Sequence, residues 1–151
     1  PNLVQKIDTI LQETGVSPEC LRFDLTEKVV TQNTELAARL MAQLRERGIR
    51  ICIDDFGTGY SSLAQLRALP ISTLKIAPSF VRDLAGAGGG SQAIVQTIIA
   101  IGKSMSIEAI AEGVETPEQV TQLRALGTRF AQGFLFSLPL DAAGAGELIA
   151  N

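Results

Sequence analysis

Residues 49–63 read IRICIDDFGTGYSSL, and this stretch decides the fold class. Its first part, Ile49–Asp54, is almost continuously apolar, which predicts a strand covered on both faces rather than one with an exposed side. Two carboxylates and a glycine-containing turn follow. Ser61 then begins a predicted short helix that reaches Leu69, because Pro70 stops it. The stretch is therefore a strand, a turn and a helix, the repeating unit of α/β proteins.

The same alternation runs through the rest of the chain. Predicted strands are Leu21–Leu25, Ile49–Asp54, Thr73–Ile76, Ile107–Ala111 and Arg129–Phe134. Apolar stripes at helical spacing fill the gaps, beginning with the stripe that Gly15 ends and the one that Gly48 ends. Residues 116–119, Thr-Pro-Glu-Gln, form a capping box for a helix that Gly127 terminates, and Ala142–Ala150 is predicted as a last helix. Both a doubly wound sheet and a (βα)8 barrel have this rhythm.

Composition narrows the possible functions. The chain has 151 residues, 46% of them hydrophobic and 19% charged, which is typical of one globular domain. A net charge of −3 without a basic run argues against a nucleic acid polymer as partner. The absence of histidine excludes Ser-His and Cys-His triads and histidine-bound zinc within this chain.

Cysteine usage and hydropathy bear on location. Cys20 and Cys52 lie beside or inside predicted strands, so we expect reduced thiols in a cytoplasmic protein. The longest apolar stretches fall short of the roughly 18 residues that a membrane span needs, so no membrane contact is expected in this segment.

Polar side chains stand at or near the end of every predicted strand. They are Asp24, the pair Asp54 and Asp55, Lys75, Glu112 and Gln132. Buried charges are costly unless they are paired or bound to a metal, and in a barrel the strand ends converge on one mouth. The four carboxylates are hard oxygen ligands that suit Mg²⁺ or Mn²⁺, and the lysine adds a positive charge beside them.

This combination supports two kinds of chemistry. A carboxylate-held metal with a lysine suits in-line attack of water on a phosphodiester. It equally suits metal-assisted enolate chemistry with lysine as the base, as in an aldolase or a lyase. The residue types alone leave both open.

Five collinear segments resemble the EAL domain family over essentially the whole chain. They are DLTE at 24–27 (ELTE in the family), DDFGTGYSSL at 54–63, LKI at 74–76 followed by SFV at 79–81, AEGVET at 111–116, and QGFLF at 132–136 with Pro139. The resemblance implies a (βα)8-type barrel and a phosphodiesterase that opens cyclic di-GMP to linear pGpG with Mg²⁺ or Mn²⁺.

The resemblance also implies roles for individual residues. Asp24 and Asp54 correspond to metal ligands, and Asp55 to a residue that binds a second metal or the attacking water. Lys75 would orient that water or a phosphate oxygen, and Glu112 would be a second-metal ligand or the general base. Three further positions have contact or supporting roles: Gln132 at the substrate or shell water, Glu27 at the loop after Asp55, and Glu115 beside the site.

The chain also departs from the family pattern. The Glu-Ala-Leu motif and the strand whose Asn completes the first metal shell are absent, so we expect residues 1–151 to be a single incomplete EAL domain. Asp24 replaces the family's Glu and is one methylene shorter, and Ala77 replaces an Asp. These changes favour an alternative, a degenerate module that binds cyclic di-GMP or a protein without catalysis.

An incomplete barrel has consequences for assembly and activity. A sheet of about five strands cannot close, and two open edges leave backbone groups unpaired. We therefore expect self-association, or a longer parent with an upstream GGDEF or sensor domain. We expect no turnover from this chain alone.

Overall fold

The computed structural model describes residues 3–59, 62–85 and 89–150. Its centre is one parallel sheet in the spatial order β1-β2-β3-β4-β5. The strands are β1 (Arg22–Thr26), β2 (Arg50–Phe56), β3 (Thr73–Ile76), β4 (Glu108–Ala111) and β5 (Phe130–Ala131). A doubly wound sheet reverses its strand order at a switch point, whereas this order follows the chain as in a (βα)8 barrel. The α/β prediction with five parallel strands is confirmed.

Eight α-helices are present in the described part of the chain. They are α1 (Leu3–Thr14), α2 (Glu27–Gln32), α3 (Thr34–Glu46), α4 (Leu63–Ala68), α5 (Pro78–Arg82), α6 (Gly90–Met105), α7 (Pro117–Leu126) and α8 (Ala142–Ala150). Short 3₁₀ turns cover Pro18–Cys20 and Asp83–Ala85. None of the helices in the ranges described has the length and apolar character needed to cross a bilayer.

Some element boundaries differ from the sequence prediction. The last strand is only Phe130–Ala131, because its regular pairing with β4 ends at Ala131. Helices α2 and α5 were not predicted: each has fewer than two turns, too short for a periodic apolar stripe. The predicted cap Ser61 lies outside the described residues, and Ser62 caps α4 by a reciprocal box with Gln65 at 3.2 Å in both directions.

The core lies on both faces of β2 and β3. Successive residues of these strands are buried, including Ile51 and Ile53 at 1% exposure and Leu74 and Ile76 at 0%. Met41 of α3 and Val95 of α6 are also at 0% exposure and belong to the same core cluster. This burial explains why these strands are mostly apolar apart from the charged residues at or near their ends, as the sequence predicts. The edge strand β1 instead alternates between exposed and half-buried residues.

Beyond β4 and β5 the backbone of two loops runs in direct contact. The Val114 N–H donates to the Gln132 carbonyl at 3.1 Å, and the Leu135 N–H donates to the Val114 carbonyl at 3.0 Å. A Cβ atom at Gly133 would overlap the backbone of Val114. Only glycine therefore permits this approach, which holds the end of β5 against the end of β4.

We predict that Gly133→Ala lowers the free energy of unfolding by at least about 2 kcal/mol, because the new methyl group must displace backbone rather than a flexible side chain. Gly146→Ala is the matched control. Gly146 lies inside α8, and a Cβ added there would have open space around it to 4 Å, so the change should be neutral or add up to about 1 kcal/mol. Urea unfolding measures both, and equal effects at the two glycines would contradict the prediction.

Candidate active site

The structure brings the polar strand ends to one edge of the sheet. Asp24 lies in β1, Asp54 and Asp55 in β2 and Lys75 in β3, while Glu112 and Gln132 directly follow β4 and β5. The parallel register aligns these ends, since Thr26 pairs with Asp54 and Ile76 with Ala111. The convergence expected from the sequence is therefore present.

Lys75 is the centre of this edge. Its Nζ lies 2.8 Å from Asp24 Oδ2, 2.7 Å from Glu112 Oε1 and 4.0 Å from Asp54 Oδ1. The lysine side chain is only 12% exposed. One ammonium group thus joins carboxylates that follow or belong to three different strands.

Burial and neighbouring charge act on these groups in opposite directions. Burial disfavours the Lys75 ammonium, but its hydrogen bonds to Asp24 and Glu112 outweigh that cost and raise the pKa of Lys75 above its usual value. Burial also raises the pKa of Glu112; contact with Lys75 lowers it, and the nearby Asp54 raises it again. Lys75 is therefore a permanent positive charge at neutral pH.

Three carboxylates could hold a divalent cation. Oxygen atoms of Asp54, Asp55 and Glu112 all lie within 4.8 Å of one another. Hard oxygen ligands at this spacing suit Mg²⁺, Mn²⁺ or Ca²⁺, and a cation would relieve the repulsion among them. Asp24 is not in this group, and its carboxylate contacts Lys75. Its role as a metal ligand stays a prediction.

Asp55 has an unusual backbone conformation. Its φ of 52° lies in the left-handed region, which non-glycine residues rarely adopt. The register between β2 and β3 shifts between Ile53 and Phe56, so the irregularity falls on the aspartate pair. Such irregularities redirect side chains near functional sites. The strain here is consistent with aiming two consecutive carboxylates at one point.

Glu27 holds the loop that follows this strand. Its carboxylate is buried at 4% exposure and accepts hydrogen bonds from the Gly57 N–H at 3.0 Å and the Gly59 N–H at 3.1 Å. A Cβ at Gly59 would lie 2.8 Å from the carboxyl carbon of Glu27. The glycine is therefore needed for the loop to close on the acid.

The other two predicted residues border a groove. Gln132 Nε2 donates to Glu112 Oε1 at 2.5 Å, so the amide orients the carboxylate. The Glu115 side chain is exposed and lines the groove with Glu112 and Gln132. The groove has a volume of about 460 Å³, within the range of small-molecule sites.

Sequence reasoning missed three residues around this groove. Phe134 and Leu138 line it and are 62% and 66% exposed, an apolar surface that the QGFLF motif contains only in part and to which no role was given. Gln119 is buried, and its Oε1 accepts from the Glu115 N–H at 2.7 Å and the Thr116 N–H at 3.0 Å. The capping box predicted the start of α7 but gave no sign that Gln119 also holds the loop after Glu112.

Comparison with known proteins gives a consistent result. The family model described as EAL domain matches residues 1–139. A curated relative from Pseudomonas aeruginosa, cyclic di-GMP phosphodiesterase NbdA, is 40% identical over 148 residues, covering 98% of this chain and 19% of the relative. The chain thus spans about a fifth of the length of the curated relatives it matches.

Solved structures agree with the sequence matches. The structure titled "PaMucR Phosphodiesterase, c-di-GMP complex" superposes with a TM-score of 0.91 at 38% identity, covering 95% of this chain and 57% of that one. Klebsiella pneumoniae BlrP1, solved as a manganese/cyclic di-GMP complex, superposes with a TM-score of 0.84 at 34% identity, covering 92% of this chain and 35% of that one.

We predict that Glu27→Ala destabilises the protein by about 2 kcal/mol or more, because two loop N–H groups lose a charged acceptor. Glu27→Gln keeps an oxygen acceptor and should lose roughly half as much. Urea unfolding measures both, with the exposed Glu13→Ala on α1 as the control. A Glu27→Ala variant as stable as the control would contradict the loop contacts.

We also predict that Mn²⁺ raises the melting temperature. A cation at a hundred times its dissociation constant adds about 2.7 kcal/mol to stability. That corresponds to several degrees for a domain of this size. Asp54→Asn and Glu112→Gln should remove most of the shift, whereas Glu13→Gln should keep it. A shift that survives both changes would place the cation elsewhere.

Proposed function

The chain belongs to the EAL domain family, and from that premise we propose that the protein containing it hydrolyses cyclic di-GMP to linear pGpG. The observation that carries the proposal is the cluster of Asp54, Asp55 and Glu112 beside Lys75 at one sheet edge. NbdA is named a cyclic di-GMP phosphodiesterase, and MucR and BlrP1 were solved with cyclic di-GMP, which supports the same substrate here.

The proposed metal site consists of Asp54, Asp55 and Glu112, with Asp24 as a further ligand once Lys75 releases it. A divalent cation, Mg²⁺ or Mn²⁺, would supply Lewis-acid stabilisation of the phosphoryl oxygens and a more acidic water. Four carboxylates with one lysine leave an excess of negative charge, so the residues present fit a cation.

The protein's own groups then have distinct tasks. Lys75, charged at neutral pH, stabilises negative charge on a non-bridging phosphate oxygen and orients the attacking water. As the alternative to binding the cation, Glu112 accepts the proton of that water, since burial raises the pKa of its carboxyl group. Gln132 holds the Glu112 carboxylate in position through its amide. Glu27 and Glu115 support the site from the two flanking loops.

The groove beside this cluster is the proposed position of the nucleotide. It combines the acidic and amide groups of Glu112, Glu115 and Gln132 with the exposed Phe134 and Leu138. An aromatic face of this kind stacks on a nucleobase, while the polar end meets the phosphate.

A second candidate function has its own support. Asp24 contacts Lys75 rather than the three clustered carboxylates, and its side chain is one methylene shorter than the family's Glu. Ala77 is 1% exposed and has no polar group where the family has Asp. Both changes favour a module that binds cyclic di-GMP or a protein without hydrolysing it.

Further features of the whole protein are proposals as well. We propose that residues 1–151 are part of a single larger EAL domain, with the remaining strands and the Asn ligand supplied by the rest of the protein. We also propose a GGDEF or sensor domain upstream and a cytoplasmic location. Self-association through the sheet edges is the alternative to a longer parent protein.

Assays on the full-length protein with Mn²⁺ and cyclic di-GMP separate these functions. We expect pGpG to form and Lys75→Met to lower kcat by about a hundredfold or more, because a fixed charge at the transferring phosphate is lost. Lys103→Met, in the last turn of α6, is the matched control and should retain activity. Tight cyclic di-GMP binding without pGpG would establish the binding module, and absence of both would leave the protein-contact role.

A further inference from the structure

The opposite end of the sheet contains a large basic cavity. It has a volume of about 540 Å³ and lies where β2, β3 and β4 begin, beneath the loops that follow α3, α4 and α6. Its lining residues include Arg45, Arg50, Arg67 and Ser106. We call it the arginine cavity. The acidic cluster lies at the other end of the same strands, so the two sites are separate.

The arginines of this cavity are solvent-exposed and differ from two neighbouring arginines, Arg22 and Arg47, in having no carboxylate partner among the residues that the structure describes. Arg47 makes a two-pronged contact with Asp8, at 2.6 and 2.9 Å, and Arg22 lies 3.7 Å from Glu108. Within residues 3–59, 62–85 and 89–150 no ion pair joins a carboxylate to any arginine of the cavity. Three guanidinium groups without acidic partners thus border one space in a chain whose net charge is −3.

Helix electrostatics account for only part of this arrangement. Arg45 and Arg67 lie in the last turns of α3 and α4, where a positive charge offsets the partial negative charge of the helix carbonyls. Arg50 is the first residue of β2 and has no such role. The planar donors of all three remain available to a ligand, and arginine donor geometry matches the oxygens of phosphate.

Ser106 adds a hydroxyl group to the lining, and its backbone has a strained conformation. Its φ is 57° in the left-handed cap position after α6, where glycine is the favoured residue. Ser106 is exposed, and its hydroxyl makes no hydrogen bond within the described part of the chain. The Ser106 hydroxyl is therefore free to donate a hydrogen bond to a ligand in the cavity.

We propose that the arginine cavity binds a phosphorylated small molecule. Its concave shape and volume suit a ligand of nucleotide size rather than a flat docking surface. The arginines contact the phosphate oxygens and the Ser106 hydroxyl donates to one of them. The ligand occupies the end of the sheet away from the acidic cluster, so both sites can be filled together.

Calorimetric titration of the full-length protein with inorganic pyrophosphate at low ionic strength tests this assignment. We expect saturable binding that Arg50→Gln and Arg67→Gln each weaken about tenfold or more, since each removes a charge-assisted contact. Arg39→Gln is the matched control: Arg39 is exposed on α3 and does not line the cavity. It makes the same charge change and should alter the affinity less than about twofold.

Ser106→Gly provides a second test that a misfolded variant cannot imitate. Glycine relieves the left-handed strain, so the melting temperature should rise while pyrophosphate affinity falls. Absence of saturable binding, or equal loss in Arg39→Gln, would overturn the proposal. Binding of a glutamate-rich peptide in place of pyrophosphate would also overturn it, because the cavity would then be a docking site for an acidic segment.

Discussion

The contact of Lys75 with the carboxylates around it is the interaction on which the functional end of this sheet depends. Asp24, Asp54 and Glu112 approach one ammonium group from three directions. Without a cation, like charges this close would push the strand ends apart or take up protons. The Lys75 ammonium reduces this repulsion enough for the strand ends to stay together in the folded protein. The negative charge that remains attracts a metal ion. Folding and metal binding therefore use the same charges.

Well-packed strands and restrained loops around this sheet edge offset the free energy that its strained backbone costs. The backbone is locally strained at Asp55, which has a left-handed conformation, and at the register shift beside it. Both lie near the end of β2, which together with β3 contains the most deeply buried strand residues. The loop after Asp55 is held by the buried Glu27, and the loop after Glu112 by Gln119. Each acid of the cluster thus stands between a rigid strand and a loop that a second polar side chain restrains. This is the support that precise placement of reacting groups requires.

The sequence predicts most of this architecture, because its signals are local. The apolar runs give β2, β3 and β4 to within a residue or two, and the charged residues at their ends give the acidic edge. The features that the sequence does not predict are tertiary contacts. β5 ends just before Gly133 packs against Val114, and these two residues lie 19 positions apart in the chain. The contact of Asp24 with Lys75 joins residues 51 positions apart. The grouping of Arg45, Arg50 and Arg67 depends on how the ends of α3 and α4 lie against the start of β2.

The brevity of β5 makes the two sides of the groove unequal. Glu112 follows a four-residue strand paired on both sides, whereas Gln132 and Phe134 follow a strand of two residues at the edge of the sheet. Within the described residues β5 pairs with β4 over two residues, so opening this ladder costs less free energy than opening β2 or β3. A ligand that bridges both sides must order the softer one. Ordering the β5 side costs conformational entropy, and this cost lowers the affinity for the ligand. Any contact that already orders the β5 side reduces the cost and so raises the affinity.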